Sequence, residues 1–191
     1  MQEFRKAREN TSSSPSGLDY TIWKCIASDE ELTEVFAIMM SLPFEYGFIN
    51  ERWCKATDVM LEKKPGVRKI HQLRIIGLLE ADFNTALKLI FAKKMMRNAE
   101  SSGISGEQWG GRPNRTAIDT AFKKLLTFDY ARLTYKTVAM FANDATACFD
   151  RMVPGFLSLI ARKFGVAASI MKCRNEIIKK LKQNVRTGCG D

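Results

Sequence analysis

Two aspartates six residues apart, Asp144 and Asp150, mark the most informative stretch of the chain. Ahead of them runs a stretch of apolar and small residues, Val138 to Ala142, which reads as a short buried strand. A carboxylate at the end of such a strand is costly to desolvate unless something pairs with it. A bound divalent cation is one such partner and a helix-capping hydrogen bond is another, so both readings fit these residues taken alone. A second group is cationic: Lys63, Lys64, Arg68, Lys69 and Arg74 surround the turn signal Pro65-Gly66. Such a hairpin can grip polyphosphate oxygens, arginine through a bidentate fork and lysine as a mobile point charge. An exposed hairpin kept soluble by its lysines fits equally. In a third group, Gln108, Arg112 and Arg115 lie around Gly110-Gly111, where backbone freedom lets a ligand approach closely. A turn feeding a capped helix also fits, since Thr116 and Asp119 stand at capping-box spacing.

Several other chemistries are disfavoured. The five cysteines are widely spaced without a C-x-x-C, and His71 is the single histidine, so a zinc site, a disulfide framework or a His-assisted nucleophile is not expected. No apolar run reaches membrane-span length and no basic-then-apolar leader opens the chain, which reads as soluble, intracellular and without a membrane partner. The formal net charge is +9, unevenly placed. Residues 17–53 carry seven acids and two bases, whereas residues 61–75 carry five bases and one acid, and 161–191 eight bases and two acids. Basic segments after an acidic lead-in suggest a face for phosphates; solvated helix faces are the competing account.

Together the three groups resemble the conserved blocks of retroelement-type reverse transcriptases. The stretch Val138 to Val153, with Asp144, four residues, the aromatic Phe149 and then Asp150, resembles the first palm motif. Leu61 to Leu79 resembles the first fingers motif and Gln108 to Asp119 the second, in the family's order, so that the resemblance covers roughly residues 40 to 191. It implies template-directed DNA synthesis by two-metal nucleotidyl transfer, with Mg²⁺ held by oxygen ligands. Asp144 and the backbone carbonyl of Ala145 would then bind metal. Lys63, Lys64, Arg74 and Phe149 would meet the incoming deoxynucleoside triphosphate. Gln108, Arg112, Arg115 and Lys69 would contact the RNA template and DNA primer. Phe149 matches the aromatic gate that favours deoxynucleotides. Two departures stand out: Gly111 replaces a more usual aromatic, and the later Asp-Asp palm motif would lie beyond Asp191. The expectation is therefore a reverse transcriptase fragment inactive alone, with a non-catalytic RNA- or DNA-binding module from a decayed element as the alternative.

The elements that must position these residues follow from periodicity. The fold class expected is α+β: helix-rich fingers with a β-hairpin, then the first part of a polymerase palm. Residues 1–17, with their Ser-Pro-Ser-Gly stretch, read as a flexible lead-in and 18–54 as a helical region, followed by fingers over 55–135 and partial palm over 136–191. A helix is predicted over 29–41, with Leu32, Val35, Phe36 and Met39 as its core stripe and Leu42-Pro43 as its end. Strands are predicted over 56–62 and 67–79, and a long helix over 80–101 carries Phe83, Leu87, Ile90, Phe91 and Met95 inward. A helix after Thr116 would bury Ile118, Phe122, Leu125 and Leu126. Another after Pro154 would bury Val153, Phe156, Leu157, Ile160 and Phe164 and end at Gly165. A last helix would bury Ile170, Cys173, Ile177 and Leu181.

Overall fold

The computed structural model describes residues 2–8, 14–66, 69–144 and 151–186. Strand β1 (Lys55–Glu62) and strand β2 (Leu73–Leu78) form the predicted hairpin, antiparallel, from Thr57 opposite Leu78 to Glu62 opposite Leu73. Gly66 takes the positive φ of 81° that the turn requires, and its N–H donates to the Glu62 carboxylate at 2.8 Å. The second strand starts later than its sequence suggests, because Ile70–Gln72 form a 3-10 turn first.

The chain is α+β, with a three-stranded mixed sheet in the order β2-β1-β3. Strand β3 (Lys182–Arg186) runs parallel to β1 and was not foreseen. The helical period extends through Leu181, yet the last helix stops at Lys179. The open edge of β1 offers unpaired backbone groups, and the next five residues satisfy them.

The helices start where their caps dictate. Helix α1 spans Gln2–Arg5 and α2 Tyr20–Ile26, the latter capped by Asp19. Helix α3 (Glu30–Tyr46) is capped by Asp29, which accepts from the Leu32 N–H at 2.9 Å. It does not end at Pro43: burial of Pro43 and Phe44 carries it to a left-handed Gly47. Helix α4 (Ala81–Leu87), a π-helical stretch (Lys88–Met95) and α5 (Met96–Ser101) follow in unbroken succession, and a left-handed Gly103 lies just beyond. Helix α6 (Ala117–Leu133) begins with the predicted Thr116–Asp119 capping box. Helix α7 (Pro154–Lys163) has proline in its first turn and Gly165 beyond its end, and α8 spans Ala168–Lys179.

The main core unites distant parts of the chain. Trp53 lies stacked between Phe44 and Phe83, at 5.6 and 5.0 Å between centroids, beside Cys54, Cys173 and Ile177. The inward stripes of the long helix and of α8 are thus as expected. A second cluster joins Phe4, Trp23, Ala27, Phe36 and Ala81. Residues within the supposed lead-in are therefore part of the fold: Phe4 is buried, and the Arg5 guanidinium closes the end of α2 with two hydrogen bonds to the Ala27 carbonyl.

Four burial expectations fail. Val138–Ala142 is not a strand, and Val138, Met140 and Phe141 are exposed. A fully apolar strand needs pairing neighbours, and among the described residues this run has none. Leu32, Val35 and Met39 on α3, and Ile118, Phe122, Leu125 and Leu126 on α6, also face solvent, as do Val153, Phe156 and Ile160 at α7. Period alone fixes which side of a helix is apolar, while burial needs a second surface.

Candidate functional site

The base of the hairpin is pinned by charge. Arg52 lies in the 3-10 turn Glu51–Cys54 just before β1, while Glu80 and Asp82 come just after β2. Both carboxylate side chains are fully buried. Arg52 Nη1 donates to Glu80 at 2.6 Å and to Asp82 at 3.1 Å, and its Nη2 also binds Asp82. Trp53 Nε1 donates to Asp82 at 3.1 Å. Glu80 further accepts from the Ser16 N–H at 2.9 Å and the Ser16 hydroxyl at 2.7 Å. Ser14 Oγ accepts from the Ala81 N–H and donates to the Leu18 carbonyl. Burial disfavours charge on the Arg52 guanidinium, but hydrogen bonds and attraction from Asp82 and Glu80 outweigh it and raise its pKa. Sequence reasoning missed this junction. Its one signal was acidic residues at an apolar strand end and in the first turn of the following helix, a pattern that names no partner.

Strand register gives the sheet two unlike faces. Lys55, Thr57, Val59 and Leu61 share one face with Arg74, Ile76 and Leu78 of β2 and with Lys182, Asn184 and Arg186 of β3. That face carries four cations and no acid, and Lys55, Arg74, Lys182 and Arg186 are all exposed. The opposite face carries Ala56, Asp58, Met60 and Glu62, with Ala56 and Asp58 buried. At the hairpin tip, Lys63, Lys64, His71 and Gln72 line a cavity of about 360 Å³. Lys69 is exposed next to it.

The glycine-rich loop is held by its own arginine. Arg112 makes a two-pronged pair with Glu100, at 2.7 and 2.6 Å, and donates to the carbonyls of Ser105 and Gln108 at 3.0 Å. The Arg112 hydrogen bond holds the Glu100 carboxyl below its usual range. Arg112 therefore shapes this loop, and Gln108 Nε2 turns back to the Gly110 carbonyl. Arg115 stacks over Trp109 at 4.6 Å, with Lys123 at 6.0 Å from the same ring. Trp109 and Glu100 were not singled out by sequence, since neither carries a motif of its own.

Asp144 is exposed and has no polar partner among the described residues. Ala145, Phe149 and Asp150 lie outside the described residues. The structure thus brings Lys63 and Lys64 together at the tip and places Arg74 on the same sheet, with Gln108, Arg112 and Arg115 in a separate loop. Among the described residues no three His, Cys, Asp or Glu side chains converge into a metal-binding group, and a two-metal centre would need carboxylates besides Asp144. No helix there is long and apolar enough to cross a membrane. No family model and no curated protein matches the chain.

Proposed function

We propose that this chain binds a single-stranded polynucleotide across the basic face of the β1–β2–β3 sheet, as the fingers-like part of a retroelement-type reverse transcriptase. The observation that carries the proposal is the register placing Lys55, Arg74, Lys182 and Arg186 on one acid-free face. Sheet spacings put Arg186 and Arg74 about 12 Å apart, and the lysines at the tip extend the positive surface past β2. Cations spaced along one surface follow a phosphate backbone and steer its approach. No aromatic residue interrupts the face, so it grips phosphates and does not stack bases. Fluorescence anisotropy with a labelled single-stranded oligonucleotide tests this. Lys55→Gln with Lys182→Gln should weaken binding at least tenfold without moving the melting temperature, and unchanged affinity contradicts the proposal.

Nucleotidyl transfer belongs to the same proposal with a condition. A two-metal reaction needs carboxylates beyond Asp144, so this chain alone should not extend a primer. Incorporation of deoxynucleotides on a template–primer with Mg²⁺, abolished by Asp144→Asn, would overturn that statement. The second reading, a binding module with no polymerase role, is favoured by Asp144 being exposed and without a polar partner among the described residues. Supplying further palm segments in a second chain separates the two: primer extension by the pair supports the polymerase.

A further inference from the structure

Two helices expose apolar side chains in stripes. On α3, Leu32, Val35 and Met39 recur at helical spacing and are 53%, 55% and 61% exposed. On α7, Phe156 and Leu159 are 68% and 63% exposed. Patches of this kind on a charged surface mark interaction sites.

Charge selects the partner. Helix α3 contains four glutamates and no base, whereas α7 contains Arg162 and Lys163 and no acid. Helical spacing puts Glu31 on the flank of the α3 stripe with Glu34 further round the same side, and Lys163 in line with Phe156 and Leu159 on α7. The two surfaces are complementary in polarity and opposite in charge, and both belong to this chain. We infer that the protein self-associates, with the acidic apolar face of α3 from one copy seated on the basic apolar face of α7 from another. The apolar stripes supply affinity and the flanking charges set register and orientation. Because the two faces differ, the contact is head-to-tail unless a two-fold axis makes it twice.

Sedimentation equilibrium of the full chain tests the inference. The mass should rise above 21.6 kDa with concentration at low salt. Glu31→Lys with Glu34→Lys in one variant, and Arg162→Glu with Lys163→Glu in another, should each weaken association at least tenfold. An equimolar mixture of the two variants should restore it, because each then meets an opposite charge. Leu159→Gln, at an exposed position, should also weaken association with an unchanged melting temperature. A monomer at every concentration, association indifferent to these variants, or no recovery on mixing overturns the inference. Association blocked by an added single-stranded oligonucleotide also overturns it, because that would put the contact on the sheet.

Discussion

The Arg52 junction and the Asp144 segment hold charge in opposite ways. At the junction two carboxylates are fully buried, and each has a guanidinium and at least one further donor. At Asp144 one carboxylate stands in solvent without a polar partner among the described residues. The first arrangement is costly to desolvate and stands because its hydrogen bonds are complete; the second costs nothing and fixes nothing. The junction closes the base of the hairpin by tying the turn before β1 to the residues after β2. The buried charges of the fold therefore lie where the hairpin joins the helices. That difference is why the proposal made above rests on the sheet and not on Asp144.

The sharpest way to break the contrast is to remove the arginine. Arg52→Ala leaves two buried carboxylates facing each other and should cost about 3–5 kcal/mol in urea unfolding. A loss below about 1 kcal/mol would mean that the junction is not what holds the hairpin base. Ser16→Ala removes one hydroxyl from Glu80 and should cost about 1 kcal/mol, leaving the Arg52 contacts in place. The acid limb of stability sharpens the comparison elsewhere. Glu100 is held below its usual pKa by the hydrogen bond from Arg112, and Glu3 by those from Lys93 and Lys88. A depressed folded pKa adds stability that is complete above the unfolded value of about 4.3 and is lost as pH falls through the folded one. Thermal melts of wild type and Glu100→Gln should therefore differ at pH 7 and converge in acid. The smallest effect is expected at Asp144→Asn, which should leave the melting temperature unchanged; a clear shift would mean that the carboxylate has a partner.

What the sequence disclosed follows the range of each interaction. The Pro65-Gly66 turn, the Thr116–Asp119 capping box and the stripe from Phe83 to Met95 were readable because each is settled within a few residues. Glu80 and Arg52 are 28 residues apart, and Ser16 and Glu80 are 64 apart, so only the folded chain shows that they meet. Strand β3 was hidden for a similar reason: Lys182–Arg186 becomes a strand by pairing with β1, over 120 residues earlier. Period gave the apolar side of α6 correctly and said nothing about whether a surface covers it. For the candidate site, the cations of the hairpin were visible in the sequence, whereas their alignment with Lys182 and Arg186 depends on register. The pairing of Arg112 with Glu100, which shapes the glycine-rich loop, was not legible because Glu100 lies outside that motif.

The central claim is that one face of the sheet grips phosphates. Its most direct test is the slope of log affinity against log salt for a single-stranded oligonucleotide. Replacing Lys55, Arg74 and Lys182 by glutamine should reduce the magnitude of that slope by about 2, at about 0.7 per lost contact. Gln183→Ala, on the opposite face, should leave it unchanged. An unaltered slope in the triple variant, or an equal change from Gln183→Ala, would contradict the account.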